Sequence, residues 1–425
     1  MNAAPLVLSA VFFMLSGHPF ITYAPSLRLM KRLGIRCPSR LVPEDARKLR
    51  SFALCVSAYN EEKVIGQKLD NLIALQDATP FPVEILIYVD AATDRTAEMI
   101  RARGDRIRLV EGGERQGKTA GMNRLVAAST ADVVVFSDAN VMVEPDALNR
   151  LAPYFADPRV GCVCGNLVYR GGHESATAAI GTTYWRHEER IKQLESDTGG
   201  VIGADGSLFA IRRALHRPPP EDIIDDFQVS LAILCEGYRV VRAGDVVAVE
   251  SVTTQSADEF RRKIRISCQS FNVHRLMRAE LRKMHWTLRY KYVSHKLLRW
   301  LSLVDFSLGF AFLVLGLTLW PGGAAGLAPI GLAAPSLAAI LWGRAPAARR
   351  LREILLALVA TTLGLRQSLR GERFRTWEPP VSRDPDETAC MIGGEIHGPL
   401  TVADIEQARR LDSAGHMRAQ RRSAV

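Results

Sequence analysis

The chain has 425 residues, 48 % of them hydrophobic and 24 % charged, with a net charge of +10. That length accommodates one large domain or two ordinary ones. The basic excess clusters between Arg261 and Arg299 and again from Arg344 to Arg375, beside apolar runs and without any nucleic-acid motif, which points to the cytosolic face of a membrane and away from nucleic acid as a partner.

Residues 3–23 form an apolar stretch interrupted by His18 and Pro19, and the positive charges Arg28, Lys31, Arg32 and Arg36 follow it. A secretory signal carries its charge in front. Residues 1–30 therefore read as a transmembrane anchor, with the following chain in the cytosol. Seven cysteines at irregular spacing give neither a disulfide framework nor a zinc pattern and suit a reducing compartment.

Phe52 to Ala58 is an apolar run ending in Tyr59-Asn60-Glu61-Glu62, followed by a helical pattern at Val64, Ile65, Leu69, Leu72 and Ile73. Val83 to Val89 is a second run, capped by Asp90-Ala91-Ala92-Thr93-Asp94 and followed by a helix from Thr96 to Ala102. Arg108 to Val110 makes a third strand, and Asp132 to Ser137 a fourth that ends at Asp138. This alternation predicts an α/β fold, a doubly wound, mostly parallel sheet. Cys162 and Cys164 share one face of a strand-like run, Val160 to Tyr169, and read as packing residues.

Ligands of such sheets bind at the carboxyl ends of the strands, and here those ends carry Asn60, Asp90, Asp94 and Asp138. Taken singly, each is a turn residue or a helix cap; together they make a site. Carboxylates can hydrogen-bond a base or a ribose, and oxygen ligands hold Mg2+ or Mn2+ against phosphates. Transfer of a sugar from its nucleotide needs that cation on the leaving diphosphate and a base for the acceptor hydroxyl.

Downstream lie two apolar candidates for spanning helices, Leu301 to Trp320 with Asp305 inside, and Gly326 to Trp342 with Pro329 and Pro335. A last run, Ile354 to Leu365, is too short for the roughly 20 residues of a span and is flanked by Arg366, Arg370, Arg373 and Arg375, so an interfacial helix is expected. The expected order is an anchor at 1–30, a cytosolic domain at 50–275, interfacial and transmembrane helices at 276–370, and a polar cytosolic tail at 371–425. That describes a multi-pass protein of the inner (plasma) membrane.

The motifs in this order resemble family 2 glycosyltransferases of the integral-membrane, cellulose-, chitin- and hyaluronan-synthase-like branch. Val56-Ser57-Ala58-Tyr59-Asn60-Glu61-Glu62 is similar to the opening strand and nucleotide loop, Asp90-Ala91-Ala92-Thr93-Asp94-Arg95-Thr96 to D-G-S-x-D-x-T, and Lys118 to Asn123 to K-x-x-x-x-N. Asp138-Ala139-Asn140 falls at D-x-D, and the segment from Gly203 to Arg213 at the acceptor motif. Asp225-Asp226 falls at the base motif, Gly237-Tyr238-Arg239-Val240 follows at the usual interval, and Arg262 to Ile266 falls at Q-x-x-R-W. The resemblance implies a GT-A-like sheet and nucleotide-sugar contacts from Ala58, Asn60, Glu62, Asp90, Lys118, Asp138 and Arg265. It also implies acceptor contacts from Gly203, Asp205 and Gly206, a metal on Asp138 and Asn140, and catalysis by Asp226 with Asp225.

Two departures stand out. Asn140 replaces the second acid of D-x-D, and at Q-x-x-R-W Arg262 replaces the glutamine and Ile266 the tryptophan that stacks on a growing glycan, which favours a single transfer or a non-sugar acceptor. The implied function is inverting transfer from a nucleotide-diphosphate sugar, UDP-linked by resemblance, to a membrane-proximal lipid or saccharide acceptor, in glycolipid or exopolysaccharide synthesis. The alternatives are a processive polysaccharide synthase and a non-catalytic nucleotide- or saccharide-binding partner of one. A sugar nucleotidyltransferase would need a G-x-G-x-R loop near the first strand, and none is present. Tyr184, Trp185, Glu188 and Glu195 either line an acceptor groove or pack a helix. His274, His285 and His295 lack metal-ligand spacing and read as interfacial or structural.

Overall fold

The computed structural model describes residues 3–39, 51–170, 176–251, 256–320, 327–343 and 345–376. Two helices open the chain, α1 (Ala4–Ile21) and α2 (Tyr23–Arg32). The α/β unit follows as β1 (Phe52–Ala58), α3 (Glu62–Asp77), β2 (Val83–Val89), α4 (Thr96–Arg101), β3 (Arg108–Glu111), α5 (Lys118–Ala128) and β4 (Val133–Asp138). It continues through β5 (Val141–Val143), α6 (Ala147–Leu151), β6 (Val160–Arg170), α7 (Ala176–Asp197), β7 (Leu208–Arg212), α8 (Asp225–Cys235) and β8 (Arg239–Ser251). Helices complete the chain: α9 (Ser256–Leu276), α10 (Arg278–Lys283), α11 (Trp286–Tyr292), α12 (Leu298–Thr318), α13 (Leu327–Trp342) and α14 (Pro346–Leu369).

The eight strands form one mixed sheet in the order β3-β2-β1-β4-β7-β6-β8-β5. The first four are parallel, as the alternation of strands and helices requires. β1 lies inside the sheet with both faces covered, which is why its sequence is almost wholly apolar rather than alternating. Phe52, Leu54 and Val56 pack with Ile65, Leu69 and Leu72 of α3, whereas Ala53 and Cys55 face the core that holds Met122 and Leu125 of α5. β7 runs antiparallel to β4 and joins the two halves, with Phe136 paired to Phe209. Their rings stack at 4.6 Å, a contact worth about 1 kcal/mol beyond its burial. Cys162 and Cys164 are both buried in the core, in keeping with a packing role.

Among the described residues, two helical segments are long and apolar enough to cross a membrane, Ala4–Ile21 and Trp286–Thr318; α13 is shorter. α1 and α12 pack closely, with the Ser9 hydroxyl donating to Gly309 O at 2.8 Å and Ser16 to Ser302 O at 2.9 Å. Gly316 permits this approach, because a Cβ there would lie 2.5 Å from Leu6. Small residues and hydroxyls are how helices adhere in lipid, where apolar burial supplies little drive. The outward faces leave Val7, Met14, Phe306 and Leu319 exposed, an apolar patch of the kind that marks a membrane or protein contact.

α14 includes the short apolar run and extends it at both ends to 24 residues. Its C-terminal half lies on α9, where a Cβ at Gly364 would meet Ile264 O at 2.4 Å, and Ser368 donates to Asn272 at 2.6 Å. The chain then turns back over the α/β unit: Gln269 donates to Phe374 O, and Arg373 and Arg375 pair with Asp222 and Glu221. The polar tail expected beyond residue 376 lies outside the described residues.

Candidate active site

The loops after β1 and β2 are stapled together by the polar residues at the strand ends. Asn60 Oδ1 accepts from Thr93 N at 2.9 Å, Asp94 Oδ2 accepts from Glu62 N at 3.0 Å, and Glu62 Oε2 accepts from Arg95 N at 3.2 Å. Asp94 also caps its own turn through Thr96 N. Asn60, Glu62 and Asp94 thus act first as loop architecture. Ala58 ends β1 beneath them and is buried. Asn60 and Ala91 both take φ of 51°, a left-handed conformation that asparagine tolerates and alanine adopts at a cost.

Asp90 is 3 % exposed. Its Oδ1 accepts from Gln116 N at 2.7 Å and its Oδ2 from Gly117 N at 2.9 Å, so it shapes the turn that starts α5. Tyr88 OH also donates to Oδ1 at 3.3 Å, and Arg115 Nε lies 3.6 Å from Oδ2. Beside it, the Arg115 guanidinium lies 3.4 Å from the ring centre of Tyr59. Gly117 has φ of 90°, and a Cβ there would collide with Arg375 O.

That turn delivers Lys118 to the end of β4, where its Nζ lies 2.5 Å from Asp138 Oδ1. Burial works against the ammonium, but Asp138, Asp225 and Asp226 together hold its pKa well above the ordinary lysine value. Thr119 Oγ1 ties α5 to the residues ahead of α8 by donating to Ile223 O at 2.7 Å, and within α8 Ser230 Oγ donates to Asp226 O at 2.7 Å. The same Ser230 oxygen accepts from Ala204 N, anchoring the 203–207 loop. A Cβ on Gly206 would lie 2.8 Å from Asp226 Oδ2 and 3.4 Å from Lys118 Nζ. Only glycine lets the loop pass that close. Gly203, with φ of 92°, approaches the Phe227 ring in the same way.

Asp226 sits in the first turn of α8. Burial and the adjacent Asp225 raise its pKa to about 7, with Lys118 opposing. A carboxylate poised near neutrality is suited to take a proton. Asp225 is buried, and among the described residues its Oδ2 has no hydrogen-bond partner. Asp205 accepts from Ser207 and lies 3.4 Å from Lys192 Nζ. Burial pushes its carboxyl up, but Lys192 and Ser207 outweigh this and lower it. Arg265, on α9, is close enough to Asp138 and Asp226 to feel both charges; burial and then Arg262 pull its pKa down.

Asp138 lies at the end of β4 and Asn140 just beyond, with Ser137 buried behind them. Oxygen from an acid and an amide suits a hard divalent cation, and the ammonium of Lys118 already shows that this corner accepts positive charge. No cluster of three or more histidine, cysteine or acidic side chains is arranged to hold a metal among the described residues.

The structure therefore brings Lys118, Asp138, Gly206, Asp226 and Arg265 together, although they span about 150 positions of sequence. Three groups of functional interest were not expected from sequence. Lys68 of α3 is fully buried and donates to Ser137 Oγ at 2.8 Å and Val141 O at 2.6 Å, bracing the Asp138–Asn140 turn. Lys192 supports Asp205. Glu250 accepts from Asn140. Of the residues read as groove or packing, Glu188 and Glu195 are buried hydrogen-bond partners of His295, at 2.7 Å and 2.8 Å. The side chains of Tyr184 and Trp185 lie outside those described. His274 bonds to Tyr292 and His285 caps α11, both structural roles.

Residues 53–217 match the model of the family described as Glycosyl transferase family 2. The chain is 28 % identical over 252 residues to a beta-monoglucosyldiacylglycerol synthase of Synechocystis sp., covering 55 % of this chain and 50 % of that protein. It is 32 % identical over 201 residues to a poly-beta-1,6-N-acetyl-D-glucosamine synthase of Staphylococcus aureus, covering 45 % and 48 %. The chain thus spans about half the length of these relatives. A mannosyltransferase from Pyrobaculum calidifontis, solved with GDP-Man and Mn2+, superposes with a TM-score of 0.63 at 23 % identity, over 86 % of this chain and 99 % of that one. That likeness places the sheet and its flanking helices in the GT-A fold. Residues 53–217 thus carry the likeness to family 2 of the glycosyltransferases, and the relatives and the motif order point the same way.

Proposed function

We propose that this protein transfers a sugar, with inversion, from a nucleotide-diphosphate donor to the hydroxyl of a membrane-proximal lipid or saccharide acceptor. One observation carries the reading: Asp226, with its pKa near 7, faces the Lys118–Asp138 pair across Gly206. A base on one side of a gap and a charge-neutralising cluster on the other are the two requirements of displacement at an anomeric carbon. The base of the nucleotide would lie against the loops of Asn60 and Asp90, and the diphosphate against Lys118 and Arg265. Asp138 and Asn140 would hold a Mg2+ or Mn2+ ion, which supplies charge neutralisation on the leaving diphosphate. Asp226 would take the acceptor proton in a single displacement, and one displacement inverts the centre.

The relatives' names support a glycolipid or polysaccharide product, and the solved neighbour's GDP-Man and Mn2+ support a nucleotide sugar with a divalent cation. We take UDP as the carrier, on motif resemblance. The apolar faces of α1 and α12 support a chain held in the inner (plasma) membrane, with the α/β unit on the cytosolic side, where the basic flanks lie.

A donor screen tests this reading. Membranes containing the full chain are given labelled UDP- and GDP-sugars with and without a chelator. Label is expected in lipid-soluble or short saccharide product, lost on chelation. Long polymer would indicate a processive synthase, and no incorporation from any donor would count against catalysis.

A further inference from the structure

Loss of the second acid at Asn140 leaves the turn after β4 one negative charge short. The sheet supplies a carboxylate beside it. β5 pairs antiparallel with β8, and the register sets Val141 opposite Glu250. Glu250 is thereby delivered next to Asn140, 110 positions away in sequence, and Asn140 Nδ2 donates to its Oε1 at 2.9 Å. A carboxylate only accepts, so it must face the amide nitrogen rather than the amide oxygen. The amide is planar, and fixing Nδ2 on Glu250 turns Oδ1 to the opposite side. Among the described residues, that oxygen accepts no hydrogen bond. The other end of the turn is fixed as well, by Lys68 on Ser137 and Val141 O, and by Ser137 Oγ on Ser207 O at 3.1 Å.

We propose that Glu250 is a positioning residue of the cation site: it orients the Asn140 carbonyl as a neutral ligand and returns, one bond behind it, the charge that Asn140 lacks. The Asn140–Glu250 pair then performs jointly what a second aspartate performs alone. Outer partners of this kind fix ligand orientation and change metal affinity by about 10- to 100-fold when removed. The inference rests on the reading of Asp138 and Asn140 as the cation-binding turn.

The test titrates Mn2+ into the detergent-purified full chain, with UDP and separately with GDP, and reads bound metal from loss of the aqueous Mn2+ electron paramagnetic resonance signal. Wild type is expected to bind and Asp138→Ala to bind at least tenfold more weakly. Binding that is alike in those two would overturn the cation site itself, and the inference with it. Given a working site, Glu250→Gln is expected to weaken Mn2+ about tenfold or more. Asn140→Asp alone sets two carboxylates against each other and is expected to gain nothing. The exchange Asn140→Asp/Glu250→Gln restores one donor and one charge across the same contact and is expected to lie within about threefold of wild type. It also serves if Glu250→Gln alone does not fold. Glu250→Gln binding Mn2+ as wild type does, or an exchange variant tenfold weaker than wild type, would overturn the proposal and leave the cation site standing.

Discussion

Lys118 Nζ lies 2.5 Å from Asp138 Oδ1 and feels Asp226 as well, so one ammonium couples the donor side of the site to the acceptor side. Replacing it should act on both. Lys118→Met is expected to weaken nucleotide-sugar binding by about tenfold, since the ammonium that would meet the diphosphate is removed. It should also raise the Asp226 pKa, because Lys118 is the group that opposes its upward shift. Donor binding by calorimetry and a pH profile of transfer check the two halves separately.

The Asp226 pKa of about 7 fixes a pH dependence. As a base Asp226 must be ionised, so transfer is expected to fall about tenfold per unit below pH 7 and to level off above it. Asp225→Asn removes the charge that, after burial, does most to raise that pKa, and should move the acid limb to lower pH. The stability contribution runs the other way. The folded carboxyl holds its proton more tightly than the unfolded one, so its stabilisation is complete below the ordinary 3.8 and is lost as pH rises through about 7. A rate profile of the two proteins side by side checks the shift.

Ala91 occupies a left-handed backbone position that glycine adopts without strain. Ala91→Gly is expected to stabilise the protein by about 1 kcal/mol. A thermal unfolding midpoint that falls would contradict this.

His295 is buried between Glu188 and Glu195, and each ring nitrogen faces a carboxylate oxygen, at 2.7 Å and 2.8 Å. Tyr23 of α2 donates to the same Glu195, and Arg299 pairs with Glu188. The first helices, the α/β unit and α12 therefore meet in one ion network. Removing one partner leaves buried charge exposed to nothing, so His295→Ala is expected to cost about 3–5 kcal/mol. Thermal unfolding in detergent, with donor binding measured below the transition, checks the loss.

The parallel half of the fold was legible in the sequence because its strands are continuous apolar runs with acids at their ends; β1 and β2 occupy the residues expected. β5 is only three residues, and β7 lies inside a stretch read as the acceptor motif, so neither carries a periodicity of its own. Lys68 was hidden for the opposite reason. A lysine at a helical position reads as solvent-facing, yet here two acceptors at the buried end satisfy its ammonium. Asp226 was singled out by motif order, and its environment supplies what order lacks: the neighbouring Asp225, the passing Gly206 and the raised pKa. The partnership of Asn140 with Glu250 depends on strand register, which no local pattern encodes.

The central claim is that Asp226 is the base, and Asp226→Asn tests it most directly. Amide for carboxylate keeps size and shape while removing the proton acceptor. Purified variant and wild type are compared for nucleotide-sugar affinity and for transfer to the acceptor that the donor screen identifies. Donor affinity within about threefold of wild type, with transfer reduced by roughly a factor of 100 or more, is the result this account predicts; transfer at the wild-type rate would contradict it.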